Sequence, residues 1–228
     1  MIFDLHIHSC HSHDCNLSVD DILQHAVRTG LDGIAITDHN TVAGSLLAIS
    51  RAKELNLPLI VLSGVEVSTS KGHLLVLGIN ENIPPGLSPE ETIEIAKEKG
   101  GVVIPSHPFK MTGIGNVDRL DVDAIETFNS SCIFGENAKA KKMARSLGKG
   151  EVGGSDSHLL ETIGFGVTEI NSEPDEFSIL NALRDGKTRS SGKITPNDIM
   201  FLRVIMGIRR RSQAFGRELH RIHSNLFL

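Results

Sequence analysis

Tryptophan and tyrosine are absent from the 228 residues, aromatic residues make up only 4%, and three cysteines occur, Cys10, Cys15 and Cys132. Three thiols cannot all pair with one another, and so few in a chain of this length exclude a disulfide-stapled scaffold. No apolar run approaches the roughly 18 residues of a membrane-spanning helix, and the opening Met-Ile-Phe-Asp-Leu-His has neither the basic nor the apolar region of a secretory signal. These absences point to a cytoplasmic protein. An excess of positive charge is also missing. Lys+Arg total 23 against 28 Asp+Glu, a net charge of -5, which argues against coating nucleic acid through bulk positive potential. The balance is uneven: residues 196–228 hold six Arg, no Lys and two acids, a net +4 that leaves -9 on residues 1–195.

What is there in quantity is histidine. The chain has 11, nine of them before residue 160 and several beside Asp or Glu. Around them, short β-rich runs alternate with helical patterns, the signature of an α/β domain on mostly parallel strands. Strands are expected at 2–8, 33–38, 59–68, 73–79, 102–107, 124–129, 151–156 and 166–170, and helices at 19–29, 42–55, 89–99, 136–147 and 176–185. Ser18 with Asp21 three residues on resembles a capping box, and Gly30 closes the first helix. About seven strands suit a barrel or an open doubly wound sheet. The acids and histidines fall at carboxyl ends of strands, where barrel active sites form, and this favours the barrel. The glycine-containing stretch 110–118 is a candidate lid.

In Asp4-Leu5-His6-Ile7-His8, two histidines two apart on a strand project from one face. Five further motifs sit at strand ends: Thr37-Asp38-His39-Asn40, Gly64-Val65-Glu66, Gly72-His73, Ser106-His107-Pro108 and Asp156-Ser157-His158. Any one alone is as well explained by a turn or a helix cap. Six in strand-end register are what a metal centre requires, and a donor set rich in imidazole suits Zn, Mn, Fe or Co better than Mg or Ca. Asp4 and Asp38 are expected to orient ligand imidazoles. The cysteines are expected to stay out of the site.

The order of these motifs, from Ile2 to about Gly192, resembles the PHP (polymerase and histidinol phosphatase) superfamily. That resemblance implies a distorted (β/α)7 barrel over residues 1–195 with a centre of three metal ions, Zn, Mn or Fe; residues 196–228, beyond the resemblance, read by their own pattern as a basic helical C-terminal extension. It implies that His6, His8, Glu66 and Asp156 hold the first ion, Glu66 bridging to a second held with His73 and His107. His39, His158 and one residue of the loop after His8 would hold the third. Many relatives read Ser-Asp-Gly five residues after the second histidine. Here Ser12-His13-Asp14-Cys15 places His13 there and Asp14 one step later; Asp14 is the first choice of ligand, His13 the second, and His11 a solvated loop residue.

Three divalent ions carry about +6, and Glu66, Asp156 and Asp14 return about -3, a pocket suited to a phosphate dianion and a bound hydroxide. The expected activity is hydrolysis of a small phosphorylated metabolite or nucleotide, centred on Glu66, His107, Asp156 and His158. Lys110 is a candidate phosphate clamp, and Asn129, with Glu126, a candidate substrate contact or orienting group. Histidinol-phosphate hydrolysis, trimming of short oligonucleotides and a non-catalytic metal-binding interaction module are the alternatives. In the extension, Ile199, Leu202, Ile205 and Ile208 recur every three residues behind the arginines. This pattern suits a packed terminal helix with solvated arginines, a self-association helix or an anionic surface contact.

Overall fold

The computed structural model describes residues 1–202, and the body of the fold runs from Met1 to Ile194. Residues 203–228, with Ile205, Ile208 and all six C-terminal arginines, lie outside the described residues. Between Met1 and Ile194, ten strands and five α-helices follow one another: β1 (Ile2–Ile7), α1 (Val19–Arg28), β2 (Gly33–Ile36), α2 (Ala43–Glu54), β3 (Ile60–Leu62), β4 (Gly64–Ser68), β5 (His73–Leu77), α3 (Pro89–Glu98), β6 (Val102–Pro105), β7 (Ala124–Asn129), α4 (Glu136–Leu147), β8 (Gly150–Gly154), β9 (Gly166–Ile170), α5 (Glu176–Arg184) and β10 (Thr188–Gly192). A single 3-10 turn, Leu160–Thr162, precedes β9.

Local chemistry accounts for the helices. In α1, Ser18 accepts a hydrogen bond from the Asp21 N–H, and Val19, Ile22, Leu23 and Ala26 bury one face at helical spacing. In α3, Ser88 and Glu91 form a reciprocal capping box with Pro89 at the first helical position, where its missing N–H costs nothing. Along β1, Phe3, Leu5 and Ile7 enter hydrophobic clusters. Period-two alternation turns Asp4, His6 and His8 to the opposite side.

The strands form three hydrogen-bonded sheets, ordered β10-β9-β1-β2-β3, β4-β5-β6 and β7-β8. This corrects two expectations. Hydrogen bonding closes no single seven-stranded barrel among the described residues, and the sheets are mixed: β1-β2, β2-β3 and β7-β8 are parallel, whereas β1-β9, β9-β10, β4-β5 and β5-β6 are antiparallel. The short turn between Ser68 and His73 leaves β4 and β5 no room for a crossover, so they pair as a hairpin. The expected strand at 59–68 is two strands, broken at Ser63, with β3 on β2 and β4 on β5.

The sheets meet at seams of a few backbone bonds, and these seams carry the histidines. His8 N–H donates to the Ser157 carbonyl at 3.0 Å, and Asn40 N–H donates to the Glu66 carbonyl at 2.9 Å. Close packing at one seam requires glycine: a Cβ on Gly154 would lie 2.3 Å from the His6 Cβ and 2.8 Å from Glu126 Oε1.

Candidate metal centre

Strand ends from all three sheets bring His6, His8, Asp14, His39, Glu66, His107, Asp156 and His158 together, Asp14 arriving on the loop after β1. Their donor atoms fall into four groups with mutual distances within 4.8 Å: His6-Glu66-His107, His6-His8-Asp156, His8-His39-Glu66 and His8-Asp14-His158. Glu66, 1% exposed, is the hub. Its Oε2 is 3.4 Å from both His6 Nε2 and His8 Nε2 and 3.2 Å from His39 Nδ1, and its Oε1 is 3.1 Å from His73 Nδ1 and from His107 Nε2. Ser106 Oγ also donates to that Oε1 at 2.8 Å, a contact that sequence reasoning missed.

The donor set can be tested for cation binding through its own hydrogen bonding. Among the described residues, five buried imidazole nitrogens lack a hydrogen-bond partner: His6 Nε2, His8 Nδ1 and Nε2, His39 Nδ1 and His107 Nδ1. Each such orphan costs about 1–3 kcal/mol when nothing satisfies it. Three of them, His6 Nε2, His8 Nε2 and His39 Nδ1, crowd Glu66 Oε2 within 3.4 Å without a hydrogen bond to it, the convergence that metal donors show. The residues therefore fit divalent cations.

The loop after β1 brings Asp14, and not His13, into a donor group. Asp14 Oδ2 is 2.9 Å from His158 Nε2 and 3.6 Å from His39 Nε2, inside a donor group. His13 is exposed and lays its ring 5.1 Å from that of His39, outside all four groups. His73 reaches Glu66 but joins no group. Cys15 and Cys132 are buried and Cys10 is exposed, and burial pushes the Cys132 thiol up.

Asp4 and Asp38 do not orient imidazoles, contrary to expectation. Asp4 accepts from the backbone N–H groups of Ser155 (2.9 Å), Gly164 (2.8 Å) and His6 (3.3 Å), and Asp38 accepts from Ser9 N–H and Ser9 Oγ at 2.6 Å each. Both carboxylates tie loops down. Glu126 takes the orienting role, with Oε1 2.9 Å from His6 Nδ1 while Oε2 accepts from the His107 N–H and, at 3.1 Å, from Asn129 Nδ2. Asn129 is buried, and its side-chain Oδ1 accepts from Ser131 N–H and Oγ. Lys110 Nζ donates to Ser131 Oγ at 2.7 Å and to Asp156 Oδ2 at 2.9 Å.

Charge is distributed unevenly over this cluster. Burial disfavours an imidazolium at His6, but the Glu126 and Glu66 carboxylates outweigh it and hold His6 well above the usual histidine range. His39 is raised likewise, burial being overcome by Glu66 and Asp14. His8 is pushed down to about 3 by burial and by the neighbouring His158 and His39. Burial would raise Glu66 and Asp14, yet the surrounding histidines hold both carboxylates below their ordinary values. Three residues at the site also adopt left-handed backbone, Asn40 (φ 60), His107 (φ 31) and Asp156 (φ 53). Strain of this kind collects where surrounding structure over-determines a functional side chain.

The chain resembles known proteins in sequence and fold. The family model described as PHP domain matches residues 4–103, and the one described as PHP-associated matches residues 134–188. An uncharacterised protein of Methanocaldococcus jannaschii is 39% identical over 140 residues, covering 56% of this chain and 81% of its own. A phosphoribosyl 1,2-cyclic phosphate 1,2-diphosphodiesterase of Eggerthella lenta is 37% identical over 90 residues, covering 37% of this chain and 33% of that enzyme. Among solved structures, a two-domain protein of Bacteroides vulgatus containing a predicted PHP-like metal-dependent phosphoesterase superposes with a TM-score of 0.72 at 18% identity. The superposition covers 85% of this chain but 65% of that one, so the likeness concerns the fold of a part of it. With strand-end histidines, acids and backbone all agreeing, the chain belongs to the PHP family.

Proposed function

We propose that this chain is a metal-dependent phosphoesterase that hydrolyses a small phosphorylated metabolite or a nucleotide, with residues 1–195 as the catalytic unit and 196–228 as a separate extension. The observation that carries this is the set of partnerless buried imidazole nitrogens, three of which (His6 Nε2, His8 Nε2 and His39 Nδ1) face Glu66 Oε2 within 3.4 Å, with the Lys110 ammonium bonded to Asp156. His6, His8, Glu66 and Asp156 would hold one divalent ion, Glu66 with His107 and His73 a second, and Asp14, His39 and His158 a third, with Zn, Mn or Fe suited to so imidazole-rich a set. Bound there, such ions supply Lewis acidity toward phosphoryl oxygens and lower the pKa of water toward neutrality.

The chain's own groups do the rest. Lys110 is held from two sides by Ser131 and Asp156, so its ammonium is oriented before substrate arrives, and a phosphate oxygen competes for it as a stronger acceptor pair. The lowered pKa of His8 keeps its ring neutral at pH 7, with a lone pair free for a cation. Glu126 fixes the His6 ring and, through the His107 N–H, the turn that presents His107. Hydrolysis places water in line with the leaving oxygen at the point that Glu66, His107, Asp156 and His158 surround.

Elemental analysis together with a substrate panel tests this. The panel is a nucleoside monophosphate, a sugar phosphate, a cyclic phosphoribosyl diester, histidinol phosphate and a labelled oligonucleotide, each with added Mn. Turnover of at least one, abolished by chelator and restored by metal, is expected. A fully loaded protein inert toward all of them refutes the proposal in favour of a metal-binding interaction module.

A further inference from the structure

The loop after β7 carries a hydroxyl with more acceptors than protons. Ser131 is buried, and its Oγ sits among three groups: Lys110 Nζ at 2.7 Å, Asn129 Oδ1 at 2.6 Å and Asp156 Oδ2 at 2.8 Å. An ammonium can only donate, so Lys110 takes a lone pair of that oxygen, and the single hydroxyl proton is left to serve Asn129 or Asp156, not both. Each of those acceptors has a second donor: Asn129 Oδ1 accepts from Ser131 N–H at 3.0 Å, and Asp156 Oδ2 accepts from Lys110 at 2.9 Å. The proton is therefore free to choose, and what decides its choice is whether the ammonium stays on Asp156.

Asp156 divides its two oxygens between two tasks. Oδ1 faces His8 Nε2 at 3.5 Å, His158 Nδ1 at 3.7 Å and His6 Nε2 at 3.9 Å, whereas Oδ2 faces Lys110 and Ser131. A phosphate that draws Lys110 to itself takes a cation from a buried carboxylate, which is costly unless another donor steps in. We propose that Ser131 is the positioning residue for phosphate capture: as Lys110 passes to the phosphate, the Ser131 proton turns from Asn129 to Asp156 Oδ2 and keeps Oδ1 aimed at the imidazoles. This inference rests on the phosphoesterase reading. Only the proton has to move, because 2.6 and 2.8 Å are both bonding distances for a hydroxyl, and a hydroxyl bonded to an ionised carboxylate makes one of the stronger hydrogen bonds. The loop does not depend on that hydroxyl for its shape. Ser130 Oγ donates to the Ser155 carbonyl at 2.6 Å, and Asn129 N–H donates to Asn137 Oδ1 at 3.0 Å.

The test compares wild type, Ser131→Ala, Lys110→Met and the double variant, with inorganic phosphate titrated calorimetrically into metal-loaded protein. Ser131→Ala should weaken phosphate binding roughly tenfold, the worth of one hydrogen bond to a charged group, while metal affinity measured without phosphate stays within about twofold of wild type. In the Lys110→Met background the two effects should exchange. No ammonium then leaves Asp156, so removing the hydroxyl should alter phosphate affinity less than about twofold, whereas metal affinity should fall roughly tenfold because both of these donors to Asp156 Oδ2 are gone. With a phosphoester that turns over, Ser131→Ala should raise KM and leave kcat within about threefold. Equal loss of phosphate affinity in both backgrounds is the mark of a hydroxyl that merely supports its loop. That result, no loss in either background, an unaltered metal affinity in the double variant relative to Lys110→Met, or a fall in kcat without a rise in KM overturns the assignment and leaves hydrolysis standing. The expected exchange without turnover of any phosphoester upholds Ser131 and overturns the phosphoesterase reading. Wild type that binds no phosphate overturns the assignment, and turnover of the substrate panel then decides hydrolysis separately.

Discussion

Asn40 is the sharpest place to perturb how the centre is held together. Its φ of 60 lies in the left-handed region, its N–H donates to the Glu66 carbonyl at 2.9 Å, its Oδ1 accepts from Ser68 N–H at 2.7 Å and its Nδ2 donates to Ser68 Oγ at 3.2 Å. These bonds pin the loop bearing His39 to the strand bearing Glu66. Asn40→Ala removes two side-chain bonds at about 1 kcal/mol each and adds about 1–2 kcal/mol of left-handed strain, so about 3 kcal/mol is expected. Asn40→Gly keeps the conformation but enlarges the unfolded ensemble by about 0.4–1 kcal/mol, so it should fall within about 1 kcal/mol of the alanine variant. The contrast that decides is Asn40→Asp. Asp tolerates the left-handed region, accepts from Ser68 N–H, and can accept from Ser68 Oγ once that hydroxyl turns to donate, so the loss should stay under about 1 kcal/mol. Urea unfolding in chelator reads the fold alone, and a metal titration then reads the centre, where the alanine variant should lose about tenfold in affinity. Equal damage from Asp and Ala, or an alanine variant as stable as wild type, would refute the pinning argument.

Three further outcomes are expected. Lys110→Ala should lower kcat/KM toward phosphoesters about 10- to 100-fold, the worth of a charge-assisted bond, with unfolding free energy nearly unchanged; unaltered steady-state kinetics would remove Lys110 from the site. Metal at about 100 times its Kd adds about 2.7 kcal/mol, some 5–10 °C in Tm for a domain of this size. Calorimetry with and without chelator should show that shift in wild type and little of it in Glu66→Gln. Burial pushes the Asp4 carboxyl up to about 6 despite bonds from Ser155, Gly164 and His6, against an ordinary value of 3.8. A raised folded pKa favours the neutral form, so this stabilisation is complete below about pH 3.8 and is lost as pH rises through 6, a swing of about 3 kcal/mol. Asp4→Asn lacks it, so its stability relative to wild type should climb by that amount between pH 4 and 7; a pH-independent difference in chemical unfolding would count against the buried-carboxyl account.

The sequence made the centre more legible than the sheets. His6 and His8 could be placed on one face because a strand has period two, and the strand-end positions of His39, Glu66, His107 and Asp156 follow from where apolar runs stop. Strand partners leave no such mark. The expected strand 59–68 reads as one run because Ser63, where it breaks, is as compatible with a strand as its neighbours are. β10, Thr-Arg-Ser-Ser-Gly, is a polar, half-exposed edge strand whose only signature is its pairing with β9. Asp4 and Asp38 sit beside histidines in sequence, but a carboxylate bonds what is near in space, and there the nearest donors are backbone N–H groups and a serine hydroxyl. Glu126, 120 residues from His6, is the imidazole partner; its strand end marks it as a candidate orienting group, but no local pattern names His6 as what it orients. Likewise His13 against Asp14 turns on the path of a loop with one extra residue.

The charge pattern of the cluster couples its protons to cation binding. Glu66 is a buried acid and Asp14 a partly buried one, and the raised pKa values of His6 and His39 draw protons toward the carboxylates that face them. Those protons do for the carboxylates what cations would do. Because the folded pKa of each imidazole exceeds its unfolded value, the help is greatest at low pH and fades as pH rises through the folded values. Divalent ions compete for the same nitrogens and bind best where the protons have left. Proton and cation thus cover adjoining pH ranges, and the carboxylates keep a positive partner across both. His8 stands apart from this exchange: held neutral by burial and by its imidazole neighbours, it is the donor that needs no proton removed, and so the natural first contact for an arriving ion.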